Sequence, residues 1–461
     1  MRLARGLDRP RRRYADGYSY NSDWSRNTGK TEDAVSRSIV NRQRIRRLLA
    51  TNPYAAKVRQ TLLNNLVGFG IVGTPVKGTP KKVTDLWKLF VKNSDWLGRL
   101  DFYGQQDLSI STMIGDGEAF IVRRFDRSKI KAGVPPTRIE IFDPGMLAPG
   151  GKKGEPIEYD DAGRPARYHF WKDRKRAGLA VSANIVSFDA ADVIHLYRQD
   201  WPGQSRGVSL FEPVVKRFED LDEYIDAEVV RKKIEACFVG FITPGEEYAS
   251  ETTDVGGQTD EYTDNDFEVE VFEPGMIERL RPGDNIQFGD PKPSAAIQEF
   301  ARVTLLGATA GAGVPYEHGT GDLSNVNYSS YRAGSLEFQR FCGRLQWLNI
   351  IPVMLERIWD WFLEDCYQIG LISKRFYEIL WTPPAFESID RERDAKADIF
   401  EILSGLSSLR ERIAARGGNI EDMKAEIEGD RGLIELLIEL FGSFGGNLGQ
   451  KQQGKPDNAS T

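Results

Sequence analysis

Residues 313–334 read Gly-Val-Pro-Tyr-Glu-His-Gly-Thr-Gly-Asp-Leu-Ser-Asn-Val-Asn-Tyr-Ser-Ser-Tyr-Arg-Ala-Gly, and the segments on either side of this stretch decide the fold. Glycine, proline and asparagine are frequent in its first part, which is typical of a loop. We predict a loop over 311–327. It separates a shorter helix, predicted from about Ser294 to Ala310, from a longer helix, predicted from Ser329 to about Leu371 and interrupted near Pro352.

A longer helical pattern precedes the shorter helix. Apolar residues recur at spacings of three and four from Leu210 to Val229, which predicts a helix from Val208 to about Gly240. At 1.5 Å per residue such a helix would be roughly 50 Å long. A rod of that length exceeds most small cores, so we expect it to need lateral neighbours. Residues 246–273 follow, with eleven acidic residues and no Lys or Arg, and 267–272 alternate as a strand.

The N-terminal part of the chain predicts a mixed α/β unit. Residues 1–30 are polar and rich in arginine, and we expect a flexible arm there. The pattern from Thr31 to Val67 is helical and broken at Asn52-Pro53. A further amphipathic helix is predicted over Lys81–Ser94. Strands are predicted at Glu118–Phe125, Thr137–Phe142, Glu158–Trp171 (a hairpin around Asp161-Ala162-Gly163) and Asp192–Tyr197.

The C-terminal part predicts helices and then a disordered tail. Residues 381–441 are charged, with a helical pattern. Residues 442–461 are rich in Gly, Gln and Asn and predict disorder.

Bulk composition excludes several classes of protein. The chain has 461 residues, which exceeds a single core and predicts two or more structural units. Its formal charge of −6 does not favour tight wrapping of DNA, which relies on neutralised phosphates. The cysteines Cys237, Cys342 and Cys366 form no C-x-x-C pair, so we expect neither a disulfide framework nor a zinc site. No apolar run approaches the 18 or so residues of a membrane span, and the arginine-rich start is not a signal peptide.

Catalytic motifs are incomplete or missing in the sequence. Thr28-Gly-Lys-Thr31 resembles the end of a phosphate-binding loop, but Trp24 stands where that motif needs glycine. His169 and His195 lie in predicted strands and are interpreted as core or hairpin histidines. His318 lies in the glycine-rich loop without an identifiable nucleophile. We therefore predict no enzymatic activity, no cofactor and no metal site.

The chain resembles the lambda-type family of phage portal proteins. Five segments carry the resemblance, in the family's order, and lie between Arg42 and Gly417. They are Arg42–Ala55 with Leu66–Ile71, Gly115–Phe120, Tyr197–Ser209, Gly313–Glu317 with Asp322 and Asn327–Gly334, and Trp381–Pro384 with Ile389-Asp390 and the Arg416-Gly417 turn. The sequence departs from the family at Arg391–Arg393, where a Pro and a Lys would be expected.

The resemblance implies an α+β, mainly helical portal fold that assembles into a ring, with twelve copies expected. It implies an α/β wing, long stem helices, a small mixed clip and a helical crown. The implied regions are the arm 1–30, wing 31–205, stem helix 206–240, acidic clip 241–290, second stem helix 291–310, tunnel loop 311–327, long wing helix 328–380, crown 381–441 and tail 442–461.

The resemblance also implies a function and partners. The ring would occupy the unique capsid vertex of the virion, after assembly in the host cytoplasm. Double-stranded DNA would pass through its channel during packaging and ejection. The ring would dock the terminase large subunit and later a head-completion or tail adaptor, and would contact major capsid and scaffold proteins, without a membrane. The alternative is another ring-forming or minor head protein.

Candidate site residues follow from the implied regions. Tunnel-loop candidates for transient DNA contact are Tyr316, Glu317, His318, Asp322, Asn325 and Asn327; several of these could instead only shape the loop. Candidates for docking partners at the clip are Glu246, Glu247, Asp260, Glu261, Asp264 and Asp266, within a segment that could equally be a plain surface loop. Asp264-Asn265-Asp266 could also bind a cation, but a solvated acidic surface is favoured. The family motif comprises Tyr328, Ser329, Ser330, Arg332 and Gly334.

Overall fold

The structure is a computed structural model that describes residues 31–150, 154–172, 184–236, 240–243, 285–288, 297–386, 391–415 and 420–432. The predicted arm, nearly all of the predicted acidic clip and the predicted tail lie outside these ranges. The chain divides into two compact units. The first comprises Met1–Ile39, Gln60–Ser209 and Arg332–Thr461, and the second comprises Val40–Arg59 and Leu210–Tyr331.

The described part of the chain is a mixture of helices and strands in which helices predominate. The helices are α1 Thr31–Thr51, α2 Pro53–Leu66, α3 Lys81–Lys92, α4 Phe102–Asp116, α5 Val215–Ala236, α6 Ile297–Gly311, α7 Tyr316–Thr320, α8 Tyr328–Leu345, a π-helical segment Gln346–Leu355, α9 Glu356–Gln368, α10 Arg391–Leu403, α11 Leu409–Ala415 and α12 Ile420–Gly429. The strands are β1 Val72–Pro75, β2 Glu118–Phe125, β3 Thr137–Phe142, β4 Ile157–Tyr159, β5 Pro165–Trp171, β6 Ile185–Asp189, β7 Val193–Tyr197, β8 Gly240–Thr243, β9 Asn285–Phe288 and β10 Ile379–Thr382.

The first unit contains three small antiparallel sheets, in the orders β3-β2-β7, β4-β5-β6 and β1-β10. The side chains of Phe120, Phe142 and Phe170 pack together in one buried apolar cluster. A second cluster surrounds Trp87 on α3, whose ring lies 4.9 Å from that of Trp359 and is ringed by other aromatic side chains. Aromatic side chains bury large apolar areas, so these two clusters are a substantial part of the core of the unit.

In the second unit the C-terminal half of α1 packs along α5. Arg44 on α1 pairs with Glu219 on α5, and its Nε donates to Glu219 Oε1 at 3.3 Å. Two further bonds lie beside the helix ends, from Asn41 Nδ2 to Glu212 at 2.7 Å and from Asn52 Nδ2 to Asp222 at 2.7 Å. Phe218 and Leu221 on α5 are buried. Beyond Leu221 the burial of α5 decreases, and Val229 is exposed.

Several elements follow the sequence expectations. The chain breaks between α1 and α2 at Asn52, and Asn52 Oδ1 accepts a hydrogen bond from the N–H of Ala55 at 2.7 Å, as a helix N-cap does. Strands β2, β3 and β7 and the β4–β5 hairpin lie where they are predicted. The predicted interruption of the long helix near Pro352 is the π-helical segment.

The predicted helix from Val208 to Gly240 is wrong at both ends. Helix α5 has 22 residues and begins at Val215, so it is about 33 Å long rather than 50 Å. Pro213 has no N–H to donate to a helix, and residues 210–214 form turns in which the N–H of Val215 donates to the Phe211 carbonyl at 2.8 Å before α5 begins. Gly240 belongs to strand β8, which pairs with β9.

Two further expectations need correction, and helix α4 was not predicted. The predicted loop 311–327 contains the short helix α7. The C-terminal region begins with a strand rather than a helix, because Trp381 lies in β10 and pairs with Gly73.

Candidate functional site

The loop between α6 and α8 contains helix α7, which packs against α6. A Cβ atom on Gly319 would lie 2.6 Å from Thr309 Cγ2, so only glycine allows α7 to approach α6 this closely. Val314, at the start of the loop, is buried. The loop is therefore a folded element, and its side chains have defined positions.

Tyr316 and Asp322, two of the predicted contact residues, bond to each other. The Tyr316 hydroxyl donates to Asp322 Oδ2 at 3.2 Å, and Asp322 Oδ1 accepts from the backbone N–H of Ser324 at 3.0 Å and from its hydroxyl at 2.6 Å. The hydrogen bonds from Ser324 lower the pKa of Asp322. Burial, together with Asp322, raises the pKa of Tyr316. Asp322 is thus an ionised carboxylate at neutral pH whose oxygens organise the turn.

His318 on α7 stacks on Tyr331 near the start of α8. Their ring centroids are 5.1 Å apart and the rings are nearly parallel, at 5°. Burial lowers the pKa of His318, and the charge of Lys57 acts in the same direction, against an opposing contribution from Glu317. We therefore expect His318 to be neutral at pH 7, where its ring packs as an aromatic surface.

Asn327 caps helix α8. Its Oδ1 accepts from the backbone N–H of Ser330 at 2.8 Å, and the Ser330 hydroxyl donates to the Asn327 carbonyl at 3.0 Å. This arrangement gives Asn327 a structural role.

Among the predicted contact residues, Glu317 and Asn325 have the side chains that are held most weakly by other residues. Asn325 is exposed, and its side-chain N–H donates a long hydrogen bond of 3.5 Å to the hydroxyl of Ser324. Glu317 lies on α7 and is half-buried.

The other motif residues lie along α8. Tyr328 and Ser329 are in its exposed first turn. Arg332 pairs with Asp394 on α10 at 3.4 Å, and Gly334 has open space where a Cβ would stand. The motif therefore encodes the start and surface of one helix.

Sequence reasoning missed Arg302 on α6 as part of this site. Its guanidinium carbon lies 5.9 Å from the centroid of the Tyr316 ring, a distance typical of a cation–π contact. Nothing in the spacing of Arg302 relative to the loop could have indicated this pairing.

A second polar cluster, also missed, lies in the first unit where two of the resembling segments meet. Glu118 at the start of β2 is fully buried and accepts from Arg206 Nε at 2.9 Å, from the N–H of Gly207 at 2.9 Å and from His195 Nε2 at 2.9 Å. Although burial alone would raise the pKa of Glu118, the Arg206 charge and the hydrogen bonds from His195 and Arg206 lower it overall. Glu118 is ionised, so it can only accept, and His195 Nε2 carries the proton.

The two strand histidines are engaged within the protein, as expected. His195 is buried on Glu118, and burial lowers its pKa against the opposing effect of that carboxylate. His169 Nδ1 lies 2.7 Å from the Ser187 hydroxyl.

The clip candidates from Glu246 to Asp266 lie outside the described residues, as does Asp264-Asn265-Asp266. Within the described ranges, no group of three or more potential metal ligands comes together. In the same ranges, no helix combines the length and apolar character that crossing a membrane requires.

The family model of lambda-family phage portal proteins matches residues 19–346. The chain belongs to this family. The match includes α1 to α8, both three-stranded sheets, and the loop with its cap at Asn327.

The chain is also similar to individual proteins. A probable portal protein of Halomonas phage phiHAP-1 is 22% identical over 440 residues, which cover 89% of this chain and 84% of that protein. Among solved structures, a chain from the virion of a native gene transfer agent particle is 15% identical with a TM-score of 0.45, covering 84% of this chain and 93% of that one. A chain from the neck of the native particle, computed with C12 symmetry, has a TM-score of 0.46 at 15% identity and the same coverage.

Proposed function

We propose that this chain forms a closed ring at the unique capsid vertex of a tailed phage or phage-like particle. The ring would be the channel for double-stranded DNA during packaging and ejection. The observation that carries the proposal is the family match over residues 19–346. This match includes α5, α6 and the loop that follows α6. A ring of twelve copies is part of the proposal, since head-to-tail contacts whose rotation closes produce rings.

Exposed apolar side chains on α5 and α6 support lateral assembly. Val230 on α5, and Val303 and Leu306 on α6, are each more than half exposed. Apolar side chains at these positions would lose contact with water against a neighbouring copy, which favours association by about 25 cal/mol per Å² buried. In the proposed ring, a neighbouring copy would cover these side chains.

Charge supports a channel through which DNA slides. Each phosphate that a protein neutralises adds salt-dependent affinity, so a strongly basic lumen would trap the duplex. The formal charge of −6 is consistent with weak net repulsion. Within the loop, Asp322 is ionised, and Arg302 is the nearby cation that packs on Tyr316.

We propose that Glu317 and Asn325 are the loop positions most suited to transient DNA contact. Tyr316 and Asp322 are hydrogen-bonded to each other, and Asn327 caps α8. These three residues would therefore shape the loop rather than touch the duplex. His318, stacked on Tyr331, would hold α7 to α8.

The regional assignment is also proposed. Residues 31–205 would be the wing, α5 and α6 the stem helices within 206–240 and 291–310, 241–290 the clip, 311–327 the tunnel loop, 328–380 the long wing helix and 381–441 the crown. An acidic clip would favour basic surfaces on the terminase large subunit and on the head-completion or tail adaptor, mainly through specificity and association rate. Major capsid and scaffold proteins would be further partners.

The proposal is tested by immunogold electron microscopy of intact particles, with an antibody against the acidic segment 246–261 and one against the major capsid protein as a control. Gold at a single vertex of each capsid, next to the tail, is the expected result. Gold distributed over the capsid would instead favour a minor head protein. Assembly intermediates in the host cytoplasm should carry the same label, and the purified protein should not hydrolyse ATP.

A further inference from the structure

The cavity between the sheets β3-β2-β7 and β4-β5-β6 of the first unit has no part in the proposed channel. Its volume is about 440 Å³, within the range of sites that hold small molecules. Three tyrosines line it, Tyr159 from β4, Tyr168 from β5 and Tyr197 from β7, together with Arg357 from the first turn of α9.

Arg357 is the uncompensated charge of this cavity. Its Nη2 donates to the carbonyl oxygens of Ala190 at 3.3 Å and Ala191 at 3.4 Å, and its guanidinium lies 5.8 Å from the ring of Trp361. In the part of the chain that the structure describes, no carboxylate oxygen is placed within 4.0 Å of it. Burial lowers its pKa, and Asp360, which is exposed, acts on it only through space.

The other charges that face the cavity cancel one another. Arg206 and Glu118 form a buried ion pair behind its wall, and burial holds His195 largely neutral. An arginine held in place by neutral carbonyl groups keeps its full charge available, and guanidinium groups bind oxyanions through charge-assisted, often paired, hydrogen bonds.

The tyrosines add neutral donors and apolar walls. Burial raises the pKa values of Tyr159, Tyr168 and Tyr197, and the phenol of Tyr159 adds to the rise at the other two. Their hydroxyls therefore stay protonated at any physiological pH and can donate hydrogen bonds. The Tyr197 hydroxyl already donates to the Gln204 carbonyl at 2.9 Å, which fixes its ring in the wall.

We propose that this cavity binds a small organic oxyanion, in which a phosphate or carboxylate group pairs with Arg357 and a ring-bearing part packs between the tyrosines. The cavity is much larger than an inorganic anion alone, which is why an organic part is included. The site is independent of the channel, so either proposal can fail without the other.

The test is isothermal titration calorimetry of the full-length protein with phenyl phosphate, inorganic phosphate and phenol. Phenyl phosphate is expected to bind at least about tenfold more tightly than either of the other two, because only it offers both charge and ring. Equal affinity for phenyl phosphate and inorganic phosphate would overturn the ring-bearing part of the proposal. Absence of phenyl phosphate binding would overturn the whole.

Variants separate the site from non-specific attraction. Arg357→Gln should weaken phenyl phosphate binding by about tenfold or more, since hydrogen bonds to charged groups are strong, and Arg357→Lys should restore part of the affinity. Arg375→Gln removes the same charge from an exposed arginine that pairs with Glu364, and should change nothing. If Arg357→Gln does not fold, Tyr159→Phe removes a hydroxyl from a half-exposed ring and should weaken binding severalfold. Equal binding by the Arg357, Arg375 and Tyr159 variants would refute the site.

Discussion

The buried ion pair between Glu118 and Arg206 offers the sharpest stability test of the fold. Glu118 has no exposed surface, and its carboxylate is the acceptor for Arg206, Gly207 and His195. Replacing it by glutamine keeps the size but leaves the Arg206 charge buried without compensation and turns an amide N–H₂ toward donors. Breaking a buried pair in this way costs about 3–5 kcal/mol of unfolding free energy.

The assay is urea denaturation of wild type and Glu118→Gln, followed by tryptophan fluorescence. The two unfolding free energies are comparable if the dependence of the free energy on urea concentration is the same for both proteins. The matched control is Asp189→Asn, which removes the negative charge from an exposed cross-strand pair with Arg167. That variant should lose less than about 1 kcal/mol. A Glu118→Gln loss no larger than that of the control would refute the view that this carboxylate holds the β2 start to the 206–207 turn.

The same pair predicts a pH dependence. Because the folded-state pKa of Glu118 lies below its ordinary value of 4.5, its stabilisation is fully present above that value and is lost as the pH falls toward the folded-state pKa. The difference in unfolding free energy between wild type and Glu118→Gln should therefore be constant near neutrality and shrink in acid. A difference that grows in acid would contradict the assigned ionisation.

Two further paired substitutions test close packing and helix capping, each by thermal and urea unfolding. Gly207→Ala should cost at least about 2 kcal/mol, because the new Cβ would lie 2.0 Å from the carbonyl oxygen of Gly117, whereas Gly334→Ala, in open space on α8, should be neutral or gain up to about 1 kcal/mol. Similar effects at both glycines would contradict the packing. Asn327→Ala should cost about 0.5–2 kcal/mol by removing the α8 cap, while the exposed Asn325→Ala should stay within about 0.5 kcal/mol. If Asn327→Ala leaves the unfolding free energy unchanged, Asn327 does not stabilise α8 as a cap.

Elements that are encoded by short-range patterns could be predicted from the sequence. The break at Asn52-Pro53 and the Asp161-Ala162-Gly163 turn depend on residues within a few positions of each other, and both occur as expected. The start of α5 is also local in origin, since Pro213 delays it, but the apolar period continued through that proline and masked it.

Helix α4 could not be predicted because its buried face is partly polar. Gln105 and Gln106 are buried, and Gln106 bonds both backbone groups of Ile71, accepting at 2.7 Å and donating at 3.1 Å. The glutamine side chains form hydrogen bonds that backbone groups of a neighbouring segment would otherwise have to make. Polar residues therefore occupy buried positions of α4, and the apolar period that marks a helix is absent. Only the tertiary contact explains the residue choice.

The candidate loop was correctly located as a segment, but the roles of its side chains were not resolved by the sequence. Asn is a preferred N-cap residue and Asn327 stands directly before the first residue of α8, so the cap could have been inferred. The contact of Arg302 with Tyr316 joins separate elements, and the ion pair of Glu118 with Arg206 spans 88 positions. Such pairings arise from the fold and leave no trace in local spacing.

Electron microscopy of the purified full-length protein, with classification of end-on and side views, shows whether the chain assembles into a ring. We expect closed rings with an open central channel wide enough for a DNA duplex, and the end-on classes would give the number of copies. Compact monomers or dimers that persist across salt and protein concentration would contradict it, because the exposed apolar faces of α5 and α6 would then have no neighbouring copy to cover them.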